Sequence, residues 1–236
     1  MEKAYISVIG AGLAGCEAAW QIANRGIQVM LYEMKPNKKS PAHHSDTFAE
    51  LVCSNSLKAA RTASAAGMLK QEMRMLNSLL LKCADACSVS AGGALAVNRD
   101  DFSGMVTNYI NQHPNITVVN EEITELPQDE IAVIATGPLT ADLLAENIRE
   151  KFGGALSFFD AAAPIVTAES IDFNSAFFAS RYGKGSGDDY INCPMNKEEY
   201  ESFHAELVGA QRAPLKDFDV QNPKVYEGCM PIEVMA

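Results

Sequence analysis

The stretch that most constrains this chain runs from Ala4 to Glu33. A short β-branched and aromatic run, AYISVI, ends at Gly10-Ala11-Gly12-Leu13-Ala14-Gly15. Cys16, Ala19, Trp20 and Ala23 then recur at helical spacing, Gly26 stops the helix, and Ile27 to Tyr32 read as a second strand. The pattern is a βαβ unit with a glycine-rich first turn. The three glycines differ in what they do. Gly10 makes the tight turn, Gly12 lets the backbone approach a pyrophosphate, and Gly15 lets helix and strand pack closely. Ala11, Leu13 and Ala14 complete the loop, whose N–H groups open the helix and favour an anion there. Glu33, 18 residues after Gly15, ends the second strand, where its carboxylate can accept hydrogen bonds from an adenosine ribose and repel the extra phosphate of NADP. The glycine loop, the helix it opens and this acid together predict a dinucleotide site.

Further along, Met34 to about Thr62 is polar, carries Pro36 and Pro41, and shows no sustained period; a loop of that length is usually functional. A helix is expected over Gly67 to Ala84, with Met68, Leu69, Met73, Leu76, Leu79 and Leu80 as its apolar stripe. Ala94 to Val97 reads as a strand. Asp100 reads as the N-cap of a helix carrying Phe102, Met105, Val106, Tyr109 and Ile110, ended by Pro114. Ile116 to Val119 and Ile131 to Ala135 are short strands, and Leu139 to Phe152 looks helical. The expected fold class is α/β, a Rossmann-like domain over 1–153 followed at Gly153-Gly154 by a second, mixed α+β domain over 154–236. The clear element of that second part is a helix from Lys197 to about Ala210, with Asn196 and Glu199 as a capping box.

No apolar run approaches the roughly 18 residues of a membrane span, and a strand so close to the N-terminus leaves no room for a signal peptide, so the expected setting is the cytosol with no membrane partner. Six cysteines, Cys16, Cys53, Cys83, Cys87, Cys193 and Cys229, lack disulfide-framework spacing and are expected to be reduced there. The formal charge of −11 argues against a general nucleic-acid binder. Its distribution is uneven: Lys35 to Lys82 holds eight basic residues against three acidic ones, a local +5 that leaves −16 for the remainder. That tract reads either as a solvated basic face or as the footprint of an anionic ligand or RNA.

The strand IAVIATGP favours FAD over NAD, because an Ala135-Thr136-Gly137 turn at a strand's C-terminal end resembles the flavoprotein segment that passes close to the cofactor. The segment SPAHHSDTFAELVCSNSLK (40–58), with GAGLAGCEAAWQ, GGALAV, ATGPLT, FFDAAAPIV, SRY, DYINCPM and the closing EGCMPIEVMA, resembles the folate- and FAD-dependent tRNA (uracil-5-)-methyltransferase family from Gly10 to Ala236. Two departures are mild: Asn98 stands where that family carries aspartate, and Ser45 where it carries threonine.

The resemblance implies methylation at C5 of the T-loop uridine of tRNA, position 54, with methylenetetrahydrofolate as carbon donor, reduced FAD as electron source and NAD(P)H reducing the flavin. It implies Cys229 as the nucleophile that adds to uracil C6 and Cys53 as the second active-site thiol. The residues themselves leave the ranking open: Glu227 and Glu233 would raise a thiol pKa at Cys229, whereas Lys58 and Arg61 would favour a thiolate at Cys53. Cys16 and Cys193 read as structural, and Cys83 with Cys87 lacks companion ligands at zinc spacing, so no metal site is expected. His43 is a candidate for the flavin or a phosphate, its neighbour His44 pointing elsewhere. Asp160 and Arg181 suit either substrate binding or a salt bridge. Members of the family continue well past EGCMPIEVMA and return to the FAD domain. A small-molecule FAD oxidoreductase, or an inactive FAD-binding fragment, are therefore the competing expectations.

Overall fold

The computed structural model describes residues 5–128, 130–153, 166–180, 182–183, 185 and 187–211. In chain order its elements are β1 (Tyr5–Ile9), α1 (Leu13–Ala23), β2 (Gln28–Tyr32), β3 (Ser56–Ala59), α2 (Ala65–Met75), α3 (Leu79–Ala86), β4 (Ser88–Val89), β5 (Ala94–Val97), α4 (Arg99–Gln112), β6 (Ile116–Val119), β7 (Ala132–Ile134), α5 (Asp142–Phe152), a 3₁₀ turn (Ala168–Ser170), β8 (Phe177–Ala179), β9 (Tyr190–Asn192) and α6 (Lys197–Gly209). By its contacts the chain divides into two compact units, Met1–Val89 with Ala94–Leu156, and Ser90–Gly93 with Ser157–Ala236. Gly154, the second half of the expected domain boundary, lies outside the described residues.

The first unit is built on a four-stranded parallel sheet in the order β6-β2-β1-β7, the strand order of a Rossmann-like α/β fold. Val8 pairs with Leu31 on one side and Val133 on the other, and Leu31 pairs onward with Val118. Val8, Val29 and Leu31 are fully buried because parallel strands are covered on both faces, which is why they read as unbroken apolar runs. α1 lays Cys16, Ala19 and Ala23 against the sheet, and α4 contributes Phe102, Val106 and Ile110 at i, i+4, i+8 to the same core. A second, antiparallel sheet, β3-β5-β4, sits in this unit, its register shifted where Lys58 adopts φ 66°.

Three expectations change here. The helix expected over 67–84 is two helices. Asn77 takes the left-handed conformation at φ 56°, and the buried Ser78 starts α3 by accepting the Leu81 N–H while its hydroxyl donates to Glu17 Oε2 at 2.8 Å. The break resets the helical frame, so Leu79 and Leu80 are buried whereas Met68, Leu69 and Leu76 face outward. The N-cap of α4 is Asn98, not Asp100: its Oδ1 accepts from the N–H groups of Asp100 and Asp101, which then place two carboxylates in the first turn. An aspartate at 98 would cap equally well, so this departure from the family pattern costs nothing in structure. Finally, α5 begins at Asp142 rather than Leu139, because Thr140 folds back to donate to the Gly137 carbonyl at 2.7 Å.

In the second unit β8 and β9 form an antiparallel pair, and α6 carries the expected capping box: Asn196 Oδ1 accepts from Glu199 N–H and the Glu199 carboxylate accepts from Asn196 N–H. The strongest test of the first unit is Gly15. A Cβ built there would lie 1.7 Å from the Gly10 carbonyl oxygen, a backbone atom that cannot give way. Gly15→Ala is expected to lower the thermal midpoint and cost about 3 kcal/mol or more, as overpacking against fixed backbone does; differential scanning calorimetry checks it.

Candidate functional site

The glycine loop leaves β1 at the C-terminal edge of the parallel sheet, where ligands of open α/β sheets bind. Gly10 takes φ 97°, and its N–H donates to the Tyr32 carbonyl at 2.8 Å, tying the turn to the neighbouring strand. A Cβ on Gly10 would come within 2.8 Å of the Ala135 carbonyl oxygen and 3.0 Å of Thr136 Cα. The two motifs found 125 residues apart in sequence are thus in direct backbone contact, reinforced by Ala135 N–H donating to Ile9 O at 2.8 Å. Gly137 beyond them is exposed at φ 68°.

Gly12 differs from both its neighbours. It is the N-cap residue of α1, with no side chain to cap the helix, and a Cβ there would meet nothing within 4 Å. Packing does not require a glycine at this position. The bare first turn of α1 presents unsatisfied N–H donors and the positive end of the helix dipole, an arrangement that can cradle a diphosphate. Beside it, Glu33 is 7% exposed at the end of β2; Oε2 accepts the Ala11 N–H at 2.8 Å and Oε1 the Lys35 N–H at 3.0 Å. A carboxylate offers about four acceptor positions, so two remain for hydroxyl donors.

The polar segment after Met34 folds back onto this loop. Phe48, Ala49 and Leu51 enter the core, Ala49 N–H donates to Ala11 O at 2.9 Å, and Phe48 N–H to Thr107 Oγ1 at 2.8 Å. Ser45, the other departure from the family pattern, pairs its Oγ with Thr47 Oγ1 at 2.6 Å, a contact that a threonine hydroxyl makes as well. Downstream, Asn55 is clamped to β5: its carbonyl accepts Val97 N–H at 3.0 Å and its Nδ2 donates to Val97 O at 3.0 Å. Cys53 sits between these two anchors, half-buried, its carbonyl accepting from Arg99 Nη2 at 3.4 Å. Arg99 was not among the residues expected at the site; its only signal was its place as the first residue after the cap Asn98. Cys229, with Glu227, Gly228 and Glu233, lies outside the described residues, as do Asp160 and Arg181.

Three other cysteines, Cys16, Cys83 and Cys87, are buried. Burial drives Cys16 far above the ordinary thiol range, aided by the Glu33 charge, and its S–H donates to Ala11 O at 3.3 Å. Cys83 is pushed up to about 11 by burial and by neighbouring Cys87, itself raised by burial. These are inert thiols at neutral pH. Among the described residues no cluster of three or more His, Cys, Asp or Glu side chains forms a metal site.

The basic tract is not a continuous field. Lys38 pairs with Glu122, Lys39 with Asp46, Arg74 in bidentate fashion with Asp85, and Lys82 lies 4.2 Å over the Tyr109 ring. Lys35 and Lys70 are buried. Among the described residues Lys58, Arg61 and Lys82 are the exposed cations of the tract without a carboxylate partner, and of these Lys82 is covered by the Tyr109 ring. A groove of about 750 Å³ lined by Trp20, Arg25, Arg74, Asn77, Lys82 and Asp85 lies at the far end of α1 from the glycine loop.

His43 is half-buried and His44 exposed. His43 Nδ1 lies 2.5 Å from Ser40 Oγ, which also accepts the Ala42 N–H at 3.4 Å, so the hydroxyl hydrogen is available to Nδ1. Burial first, and the Lys35 charge second, hold the His43 pKa below its ordinary 6.5. A folded-state pKa lower than the unfolded one stabilises the neutral imidazole: that contribution is complete above about pH 6.5 and is lost as the pH falls from there through the folded value. Stability is therefore expected to drop on acidification below pH 6.5 and to drop less in His43→Asn, as read by urea unfolding at pH 7.0, 6.0 and 5.0.

Comparison with known proteins bears on the whole chain. The family model described as "Glucose inhibited division protein A" matches residues 5–236. The methylenetetrahydrofolate–tRNA-(uracil-5-)-methyltransferase TrmFO of Acetivibrio thermocellus is 64% identical over 98% of this chain and 53% of its own length. That of Bacillus subtilis is 55% identical over 100% of this chain and 54% of its own. The chain spans about half the length of these curated relatives. A solved structure of Aquifex aeolicus GidA overlaps 57% of this chain and 25% of its own, at 16% identity and a TM-score of 0.47. With its family model matched from the first strand to the last residue, the chain belongs to the Glucose inhibited division protein A family.

Proposed function

We propose that this chain provides the cofactor-binding half of a folate- and FAD-dependent tRNA (uracil-5-)-methyltransferase that converts the T-loop uridine at position 54 to 5-methyluridine. The observation that carries the proposal is the conjunction, within one compact unit, of a bare-glycine dinucleotide cradle and a half-buried cysteine in the segment that folds back onto it, held between two hydrogen-bonded anchors at Ala49 and Asn55. The names of its 55–64% identical relatives supply the reaction class.

The residues present fit FAD. The open space over Gly12 admits a pyrophosphate, the first-turn N–H groups of α1 neutralise it, and Glu33 keeps acceptor positions for ribose hydroxyls after satisfying two backbone donors. Ala135, Thr136 and Gly137 bring a second stretch of backbone to the same edge, and His43 stands in the segment that folds back over the loop. When bound, the flavin supplies the electron pair that completes the methyl group, NAD(P)H being its source. In this reading the unit Met1–Val89 with Ala94–Leu156 is the cofactor domain and the remainder serves the substrate.

Uracil C5 is a weak carbon nucleophile until a group adds at C6. We assign that addition to the Cys229 thiolate: an S–C6 bond forms and the C5–C6 electron pair moves to the C5 enolate, which attacks the methylene carbon delivered from methylenetetrahydrofolate. Loss of the C5 proton to a base restores the C5–C6 double bond and expels the thiolate, and a hydride equivalent then displaces the amine nitrogen that carried the carbon, leaving it as a methyl group. Cys53 is the second thiol of the site. A reducing cytosolic setting suits two working thiols.

The unmodified chain is expected to purify with bound yellow flavin. Gly12→Ala is expected to keep its thermal midpoint while weakening flavin binding at least about tenfold, since the new methyl occupies the pyrophosphate's place and nothing else. With labelled methylenetetrahydrofolate, tRNA and NADPH, label should appear in the T-loop uridine and disappear in Cys53→Ser and Cys229→Ser. Flavin turnover that proceeds at the same rate without RNA, with no label transferred, would overturn the methyltransferase reading in favour of small-molecule oxidation.

A further inference from the structure

One charged group near the glycine loop has no part in the proposal above. Lys35 is 4% exposed, and a cation that deep is retained only with partners. Its ammonium donates to the Thr47 carbonyl and lies 3.9 Å from Glu50 Oε2. Glu50 is itself committed: Oε1 accepts the N–H groups of His44 and Ser45 at 2.9 and 3.2 Å, while Oε2 is buried and accepts no hydrogen bond from any described residue. Each buried charge therefore depends on the other. Between them they hold the start of the 44–50 turn, His44 and Ser45 through Glu50, and its middle, Thr47 directly.

Within that turn Ala49 takes φ 51°, and its N–H donates to Ala11 O. Ala11 is thus held at both of its backbone groups, its N–H by Glu33 and its carbonyl by the Ala49 N–H together with the Cys16 S–H. Because the peptide is planar, holding the Ala11 carbonyl also fixes the direction of the Gly12 N–H at the start of α1. Resting on the reading of this loop as a dinucleotide cradle, we propose that Lys35 is a positioning residue for that cradle: through Glu50 and Thr47 it pins the 44–50 turn against Ala11 and so preorganises the loop that receives the diphosphate. Lys35 touches no cofactor atom in this role and acts through the Glu50 carboxylate and the Thr47 carbonyl.

The test needs no catalytic activity. Amide hydrogen exchange in the unmodified chain should show Ala49 protected. Lys35→Met should speed Ala49 exchange at least about 100-fold, leave the amides of Val8 and Leu31 unchanged, and raise the dissociation constant for ADP, used as the probe, at least about tenfold. Lys35→Arg, which keeps a buried cation, should recover most of both effects. Should Lys35→Met not fold, Glu50→Gln serves instead: the amide can still accept from His44 and Ser45 but no longer pairs with the cation, and the same local loss of protection is expected. Unchanged Ala49 exchange, or a uniform rise at Val8, Leu31 and Ala49 together, would overturn the proposal, the second result showing a merely global stabiliser. If the unmodified chain takes up no ADP, the dinucleotide reading itself falls, and the role given to Lys35 falls with it. A normal ADP affinity in Lys35→Met that exchanges fast at Ala49 overturns the positioning role alone.

Discussion

The first unit depends on a contact without side chains, the approach of α1 to the turn that precedes it. Gly15 sits so close to the Gly10 carbonyl that no β-carbon fits between them, and Gly10 in turn lies against the backbone of Ala135 and Thr136. Three segments of chain meet there by backbone contact alone. The register of β1 with β2 and β7, the direction in which α1 leaves the sheet and the placing of Cys16 and Ala19 in the core all follow from how closely those segments approach.

Around that contact the site is assembled in layers. The parallel sheet brings its C-terminal edge together, the acid at the end of β2 fixes one face of the loop, and the long polar segment closes over the other. The segment is held by a mixture of burial, at Phe48, Ala49 and Leu51, and of specific polar contacts at Thr107, Asn55 and the Lys35–Glu50 pair. This mixture explains how 28 residues without regular period, from Met34 to Arg61, can be ordered enough to present Cys53 at a defined place. Only β3 interrupts them, and it is short and bulged at Lys58.

Much of the fold was legible in the sequence because its cues were local. The βαβ unit, the strands at 94–97 and 116–119, and the capping box at Asn196 were each announced by period or by cap chemistry within a dozen residues. The failures share a cause. The break at Asn77 rests on one left-handed residue inside an otherwise helical composition, and the Asn98 cap was overlooked because Asp100 and Asp101 are themselves good capping types. At the site, the loop glycines and Glu33 were readable from spacing. The contacts that organise the polar segment were not, since Arg99, Lys35 and Glu50 act across tertiary distance and carry no motif. The charge count left its two readings open for the same reason: what a tract rich in lysine and arginine presents depends on tertiary neighbours, and Glu122, Asp46 and Asp85 pair with three of its cations.

The three glycines of the loop also differ in what they would reveal as sequences diverge. Gly10 and Gly15 are demanded by backbone conformation and close approach, so any descendant that keeps the fold must keep them whatever it binds. Gly12 stands in open space at an ordinary extended backbone, and on the proposed reading only a bound diphosphate restrains it. A lineage that abandoned the cofactor while keeping the architecture would be released at position 12 first, which makes that residue a marker separating inheritance of a shape from inheritance of a chemistry.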